Sequence, residues 1–238
     1  MLSERHSLGI STNLDVLDRF LDVKDRFIVD AGCGDMNLSK QLALRGARVL
    51  GIDPDPVQAQ LNQQAETVAN VGFVETGADS IPVEPASVDG VVFPYSLHHV
   101  PGELYIAVFK EMSRVLKDNG FLYVMEPVAS GSLNEVMRLF HDEQAVRTAA
   151  QHALDTLAIP LFEQLTVVEY SLSVKYASWE EYAERYSKKS YNTGYSEAQV
   201  RDKAVEQRFL ELGEPVDFQF EFPMKVTYLR NLKRSELA

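Results

Sequence analysis

This chain has one cysteine in 238 residues, Cys33, so no intrachain disulfide can form. A lone thiol suits a reducing, cytoplasmic setting. No apolar run reaches the roughly 18 residues that a bilayer-crossing helix needs. The first residues, Met1 to His6, lack the apolar stretch of a signal peptide. Positive charge is scarce: 23 Lys and Arg stand against 35 Asp and Glu, a net charge of −12. Such a field repels phosphate backbones, and Lys188-Lys189 and Lys233-Arg234 are only pairs. Nucleic acid is not an expected partner. There is no Cys/His cluster, and the adjacent His98 and His99 cannot share a helix face as an i, i+4 pair would. No metal is expected. No Ser-His-Asp triad or phosphate-cradling Gly-Lys-Ser/Thr loop is visible either. What is there is 45% hydrophobic and 24% charged, the composition of an ordinary globular protein.

Apolar strands alternate with helical stretches. Leu14, Leu17 and Leu21 share one face of a helix over 13–21, with Thr12 as its cap. Residues 27–30, 48–52, 71–75, 88–93 and 121–126 read as strands, and 37–45, 56–68 and 103–116 as helices. This alternation predicts a parallel sheet with helices on both faces. Ligands of such sheets sit beyond the carboxyl ends of the strands. Asp30, Asp53, the 77–80 turn, Phe93-Pro94 and Glu126 all fall at those ends. Beyond Pro127 the pattern changes. One or two helices cover 132–157, a half-buried strand covers 166–177, and helices follow over 179–189 and 196–212. Residues 216–222 and 225–232 read as strands that finish an antiparallel edge. The 178–212 stretch reads as a helical cap inserted over the crevice.

The most informative stretch is Ile28-Val-Asp-Ala-Gly-Cys-Gly34, a buried strand running into a glycine turn before a helix. Glycines there let a ligand approach the backbone closely. Asp30 before the turn would repel a pyrophosphate and welcome a cationic amino group. That description fits S-adenosylmethionine. A second apolar strand ends in Asp53, 19 positions after Gly34. An acid at that distance hydrogen-bonds ribose hydroxyls in βαβ nucleotide folds. A nicotinamide-dependent oxidoreductase would need a third glycine where Asn37 stands.

These segments, together with Gly77-Ala-Asp-Ser-Ile-Pro82, Val88-Asp-Gly-Val-Val-Phe93, Ser96-Leu-His-His-Val-Pro101 and Arg114-Val-Leu-Lys-Asp-Asn-Gly120, cover about residues 25–127. The chain resembles a class I S-adenosylmethionine-dependent methyltransferase of the ubiquinone and menaquinone biosynthesis type. The resemblance implies a Rossmann-like, doubly wound, mostly parallel seven-stranded α/β sheet with an antiparallel edge and a helical cap. It implies one methyltransferase domain over 1–238: a leader helix within 1–24, a cofactor-binding half over 25–127 and a substrate-side half over 128–238.

Residue by residue, it implies that Gly32 and Gly34 admit the methionine end of S-adenosylmethionine. Asp30 would hold the amino group, directly or through water. Asp53 would take the ribose and Pro54 the adenine face. Relatives often place Asp-Ala at the end of the third strand. Here Gly77-Ala78 stands there and Asp79 follows, so Ala78 and Asp79 are the candidates for adenine. The Phe93 carbonyl would accept from the cofactor amino group. Tyr95, His98 and His99 follow directly, near the expected methyl, and are the candidate catalytic residues. Tyr95 would offer a cation–π face and a histidine would act as base.

Glu126 either faces the substrate or caps the next helix. His141 shares a stripe with Met137 and Leu133 that suits packing better than catalysis. The aromatic density of Tyr176, Trp179, Tyr182, Tyr186, Tyr191 and Tyr195 hints at an aromatic or apolar small-molecule acceptor. Methyl transfer to a small molecule is the leading reading. A cofactor-binding regulatory protein on the same fold is the alternative.

Overall fold

A computed structural model describes residues 1–188, 194–214 and 216–233. One sheet of eight strands organises them: β1 (Leu2–Ile10), β2 (Phe27–Ala31), β3 (Arg48–Asp53), β4 (Val71–Glu75), β5 (Val88–Pro94), β6 (Leu116–Pro127), β7 (Phe162–Lys175) and β8 (Gln219–Leu232). Their spatial order is β1-β7-β8-β6-β5-β2-β3-β4. Every pairing is parallel except those of β8, which runs antiparallel to both β6 and β7.

Consecutive side chains in the inner strands point to opposite faces, and both faces are apolar. Ile28, Val92, Phe121 and Tyr123 join one buried cluster. Val29, Val91, Leu122 and Val124 join the other. The first cluster is covered by α1 (Asn13–Phe20) and α2 (Asn37–Leu44). The second is covered by α4 (Tyr105–Val115), which follows α3 (Pro56–Gln64) in the chain. In the second half, α5 (Ser132–Met137), α7 (Trp179–Ser187) and α9 (Lys203–Leu212) pack on the first face, and α6 (Gln144–Ala153) on the second. A short helix, α8 (Glu197–Val200), precedes α9. Thr12 caps α1 as expected: its hydroxyl accepts from the Asp15 N–H at 3.1 Å.

The structure departs from the sequence reading in two places. The sheet has eight strands, not seven, because residues 2–10 form an edge strand. That strand is mostly exposed and polar, Leu-Ser-Glu-Arg-His-Ser-Leu-Gly-Ile, and one-sided pairing imposes no apolar alternation on it. The antiparallel strand is also not at the edge. Residues 219–232 form one continuous strand through Pro223, inserted between β6 and β7. Proline inside a sheet strand argues for a break, which is why 216–222 and 225–232 read as two.

Candidate active site

The carboxyl ends of β2, β3, β5 and β6 meet along one edge, because these strands are mutually parallel neighbours. The glycine turn leaves β2 there. Gly32 takes φ +71°, and a Cβ on it would lie 2.4 Å from the Ser96 Cβ. Gly34 takes φ +49° with open space where a Cβ would be. The N–H groups of Gly32 and Cys33 donate to the Ile52 carbonyl at 2.8 and 3.0 Å, which ties the turn to β3. Asp53 completes the tie. Its Oδ2 accepts from the Gly34 N–H at 2.9 Å and its Oδ1 from the Asp55 N–H at 2.9 Å. The Asn62 amide of α3 donates to the Gly34 carbonyl at 2.8 Å.

Asp30 is wholly buried. Its Oδ2 accepts from the Ser39 hydroxyl at 2.6 Å, while its Oδ1 has no hydrogen-bond partner. Burial raises its pKa from 3.8 to about 7, with the Ser39 hydrogen bond opposing. Cys33 is buried beside it, and burial pushes that thiol far above its ordinary value, which leaves it unreactive. Pro54 is exposed just beyond Asp53. At the end of β4, Ala78 is half-buried, Asp79 is exposed, and the Asp79 carboxylate lies over Gly77. At the opposite end of β5, Asp89 accepts from Lys117 at 2.7 Å and from the Phe27 N–H at 2.9 Å, a purely structural role. A surface cleft of about 450 Å³ lined by Asp18 to Lys24 and Arg45 also lies away from the glycine turn, at the amino-terminal side of β2 and β3.

Phe93 is buried. Beyond it the chain turns sharply, with Tyr95 at φ +59° and a 3₁₀ turn over Leu97–His99. The Tyr95 hydroxyl accepts from the Asn13 amide at 2.5 Å, and Asn13 accepts from the Tyr170 hydroxyl at 2.7 Å. Burial pushes Tyr95 up to about 12. Glu126 anchors this turn: its Oε1 accepts from the N–H groups of Leu97 and His98 at 2.9 and 3.3 Å, and its Oε2 pairs with His98 Nδ1.

Glu143, which the sequence reading passed over, approaches from the second half of the chain. Its Oε1 lies 3.4 Å from His98 Nε2, 3.9 Å from His99 Nε2 and 2.9 Å from His141 Nε2. Its Oε2 takes Arg147 at 2.5 Å, and Arg147 reaches on to Asn134 at 3.0 Å. Burial by itself would lower the pKa of His98, but the hydrogen bonds to Glu126 and Glu143 outweigh it and raise the value to about 9. Burial and the His98 charge bring His99 down to about 4. The two neighbouring histidines are therefore unlike, where the sequence reading gave both an ordinary value near 6.5.

The aromatic residues of the second half mostly pack on one another. Tyr176, Tyr182 and Phe209 are buried together, with Trp179 stacked 5.5 Å from Tyr182. Tyr195 instead reaches toward the histidine cluster, its ring 5.0 Å from His141. Tyr191 lies outside the described residues.

This geometry agrees with the comparison to known proteins. Residues 29–124 match a family model described as a methyltransferase domain. Over those residues the chain is similar to a methyltransferase domain. It is 34% identical over 110 residues to the ubiquinone/menaquinone biosynthesis C-methyltransferase UbiE of Campylobacter jejuni, covering 43% of this chain and 45% of that protein. It is 30% identical over 120 residues to the ubiquinone biosynthesis O-methyltransferase of Chromobacterium violaceum, covering 46% and 48%. The chain thus spans about half the length of these relatives. The whole-chain fold is shared with the YcgJ protein from Bacillus subtilis, at TM-score 0.56 and 16% identity over 92% of this chain and 97% of that one. It is shared too with geranyl diphosphate C-methyltransferase from Streptomyces coelicolor, at TM-score 0.52 and 17% identity over 92% and 78%.

The methyltransferase family implies S-adenosylmethionine as cofactor. The residues present fit it. The open side of Gly34, the unpaired Oδ1 of Asp30 and the carboxylate of Asp53 suit a cationic amino acid joined to a ribose. Among the described residues, no helix is long and apolar enough to cross a membrane.

Proposed function

We propose that this chain transfers a methyl group from S-adenosylmethionine to a small-molecule acceptor by in-line displacement. The observation that carries the reading is the hydrogen bond from the Gly34 N–H to Asp53, which makes the glycine turn and the ribose-type acid one rigid edge. When bound, S-adenosylmethionine supplies a methyl on a sulfonium, already a strong electrophile.

Gly32 and Gly34 admit the methionine end. Asp30 acts from behind the turn, and its full burial makes its pull on the amino group electrostatic. Each Asp53 oxygen accepts one backbone N–H and keeps a second lone pair for a ribose hydroxyl. Pro54 borders the adenine face, Ala78 and Asp79 address the adenine edge, and the Phe93 carbonyl accepts from the amino group. Tyr95, His98 and His99 border the acceptor side, held by Asn13 and Glu126. Alignment of acceptor and methyl contributes about 7–11 kcal/mol to rate. A base matters only where the nucleophile must lose a proton.

The ubiquinone and menaquinone biosynthesis names of the relatives support a small organic acceptor, and the net charge of −12 opposes a nucleic-acid one. The described chain reads as one domain, since β7 and β8 of the second half continue the sheet of the first. Titration calorimetry with S-adenosylmethionine, with NAD as control, tests the proposal. Micromolar binding of the first and none of the second is expected. Failure to bind S-adenosylmethionine would overturn it.

A further inference from the structure

Glu143 is the hub of a cluster that in-line methyl transfer does not require. One ligand atom each from His98, His99 and Glu143 lies within 4.8 Å of the others. The Glu143 Oε1 is 3.4 Å from His98 Nε2 and 3.9 Å from His99 Nε2. A tetrahedral ion with bonds of about 2.0–2.2 Å holds its ligand atoms roughly 3.3–3.6 Å apart. Two of the three separations are therefore near ligating values already, and the third is within 4.8 Å. Nothing in the local sequence reveals this, because Glu143 comes from beyond β6 and α5.

The residues behind the ligands match what a metal site uses. Glu126 sits on the Nδ1 of His98. With the Nδ1–H donating a hydrogen bond to that carboxylate, a neutral imidazole has its Nε2 lone pair toward Glu143, the carboxylate–histidine support common to metal-ligating imidazoles. Arg147 and His141 hold Glu143 at 2.5 and 2.9 Å. Access is uneven: the side chains of His98 and Glu143 are 2% and 10% exposed, while that of His99 is 36% exposed. His99 is thus the door to solvent.

We infer that His98, His99 and Glu143 form a binding site for a divalent transition-metal cation of the zinc class. Two imidazole nitrogens and one carboxylate suit zinc, iron(II), cobalt(II) or nickel(II), whereas magnesium and calcium prefer oxygen ligands throughout. Two carboxylates facing one guanidinium leave the cluster net acidic once the imidazoles are neutral. Three protein ligands leave a fourth position for water or an oxygen of a small molecule. That position lies at the same sheet edge as the glycine turn, since Glu126 ends β6 and the His98 turn follows β5.

The test uses the full chain, stripped of metal with a chelator, and zinc ion alone as the probe. Calorimetry is expected to give one equivalent of zinc bound at micromolar Kd or tighter. Glu143→Gln and His99→Gln are each expected to weaken it tenfold or more. Cobalt(II) is expected to give a tetrahedral visible absorption band that His99→Gln abolishes. Circular dichroism checks that each variant is folded. Where Glu143→Gln does not fold, the more exposed His99→Gln decides. Absence of stoichiometric zinc binding, or one-equivalent binding unchanged in the folded variants, would overturn the inference. The titration needs no S-adenosylmethionine, so its outcome stands apart from that of the methyl-transfer reading.

Discussion

Two groups at one sheet edge are built in opposite ways. Asp30, Gly32, Gly34 and Asp53 come from a single strand–turn–helix–strand unit, and their joints are mostly backbone N–H groups. His98, Glu126, Glu143 and Arg147 come from a turn, a strand end and a helix in both halves of the chain, and side chains join them to one another. The first group is specified by how little room it leaves. The second is specified by each charge needing a partner. The local unit has no room for added volume at Gly32, whereas a cluster assembled over distance tolerates no lost partner.

Removing a partner gives the sharpest contrast. Glu126→Ala leaves the buried His98 imidazole and two N–H groups without their acceptor. A loss of roughly 3–5 kcal/mol is expected in urea unfolding, as for one half of a buried pair. Glu126→Gln, which retains an acceptor, is expected to lose clearly less. Equal losses would mean that the cluster works by packing alone.

The local group carries a charge of its own that shows as pH dependence. Asp30 has its folded pKa raised to about 7 from 3.8. Its proton is held more tightly in the folded state, so its contribution is full below about pH 4 and is lost as pH rises toward 7. The difference of about three units corresponds to about 4 kcal/mol. Asp30→Asn is expected to remove this slope between pH 4 and 7. The same slope in both proteins would show that Asp30 is ionised in the fold.

Added volume breaks the local group next. Gly32→Ala puts a Cβ 2.4 Å from Ser96 at a left-handed backbone position. The expected loss is roughly 2–4 kcal/mol, from the left-handed conformation and the overlap together. Gly34→Ala meets open space and is expected to cost less stability. It would instead fill the room proposed for the cofactor. Thermal melts separate the two. The smallest effect is expected for Asp53→Ala, with S-adenosylmethionine affinity falling at least tenfold, since a charged hydrogen bond is worth about 1.5–3 kcal/mol. Unchanged affinity would sink the ribose assignment.

How legible each region was follows from the range of its interactions. Strands β2, β3, β5 and β6 were readable because both sheet faces bury apolar side chains, so Ile28-Val29 and Val91-Val92 are continuous runs. Edge strand β1 was not, since half of its pairing surface and most of its side chains face solvent. Pro223 disguised β8 as two strands. The aromatic residues after 176 suggested a ligand surface, yet Tyr176 and Tyr182 are committed to each other and to Phe209. The Asn13 amide that fixes the Tyr95 hydroxyl comes from 82 positions away, beyond the reach of local sequence.

By itself, then, the amino-acid sequence determined the alternating α/β order, the glycine turn and the acids at the ends of β2 and β3. These depend on contacts between near neighbours and on backbone conformations that only glycine adopts easily. The tertiary structure alone decided that Glu126 and Glu143 converge on His98, that Asp30 is sealed from solvent, and that two adjacent histidines have opposite proton affinities. Burial and the approach of distant charges set those properties, and neither leaves a mark in the local sequence.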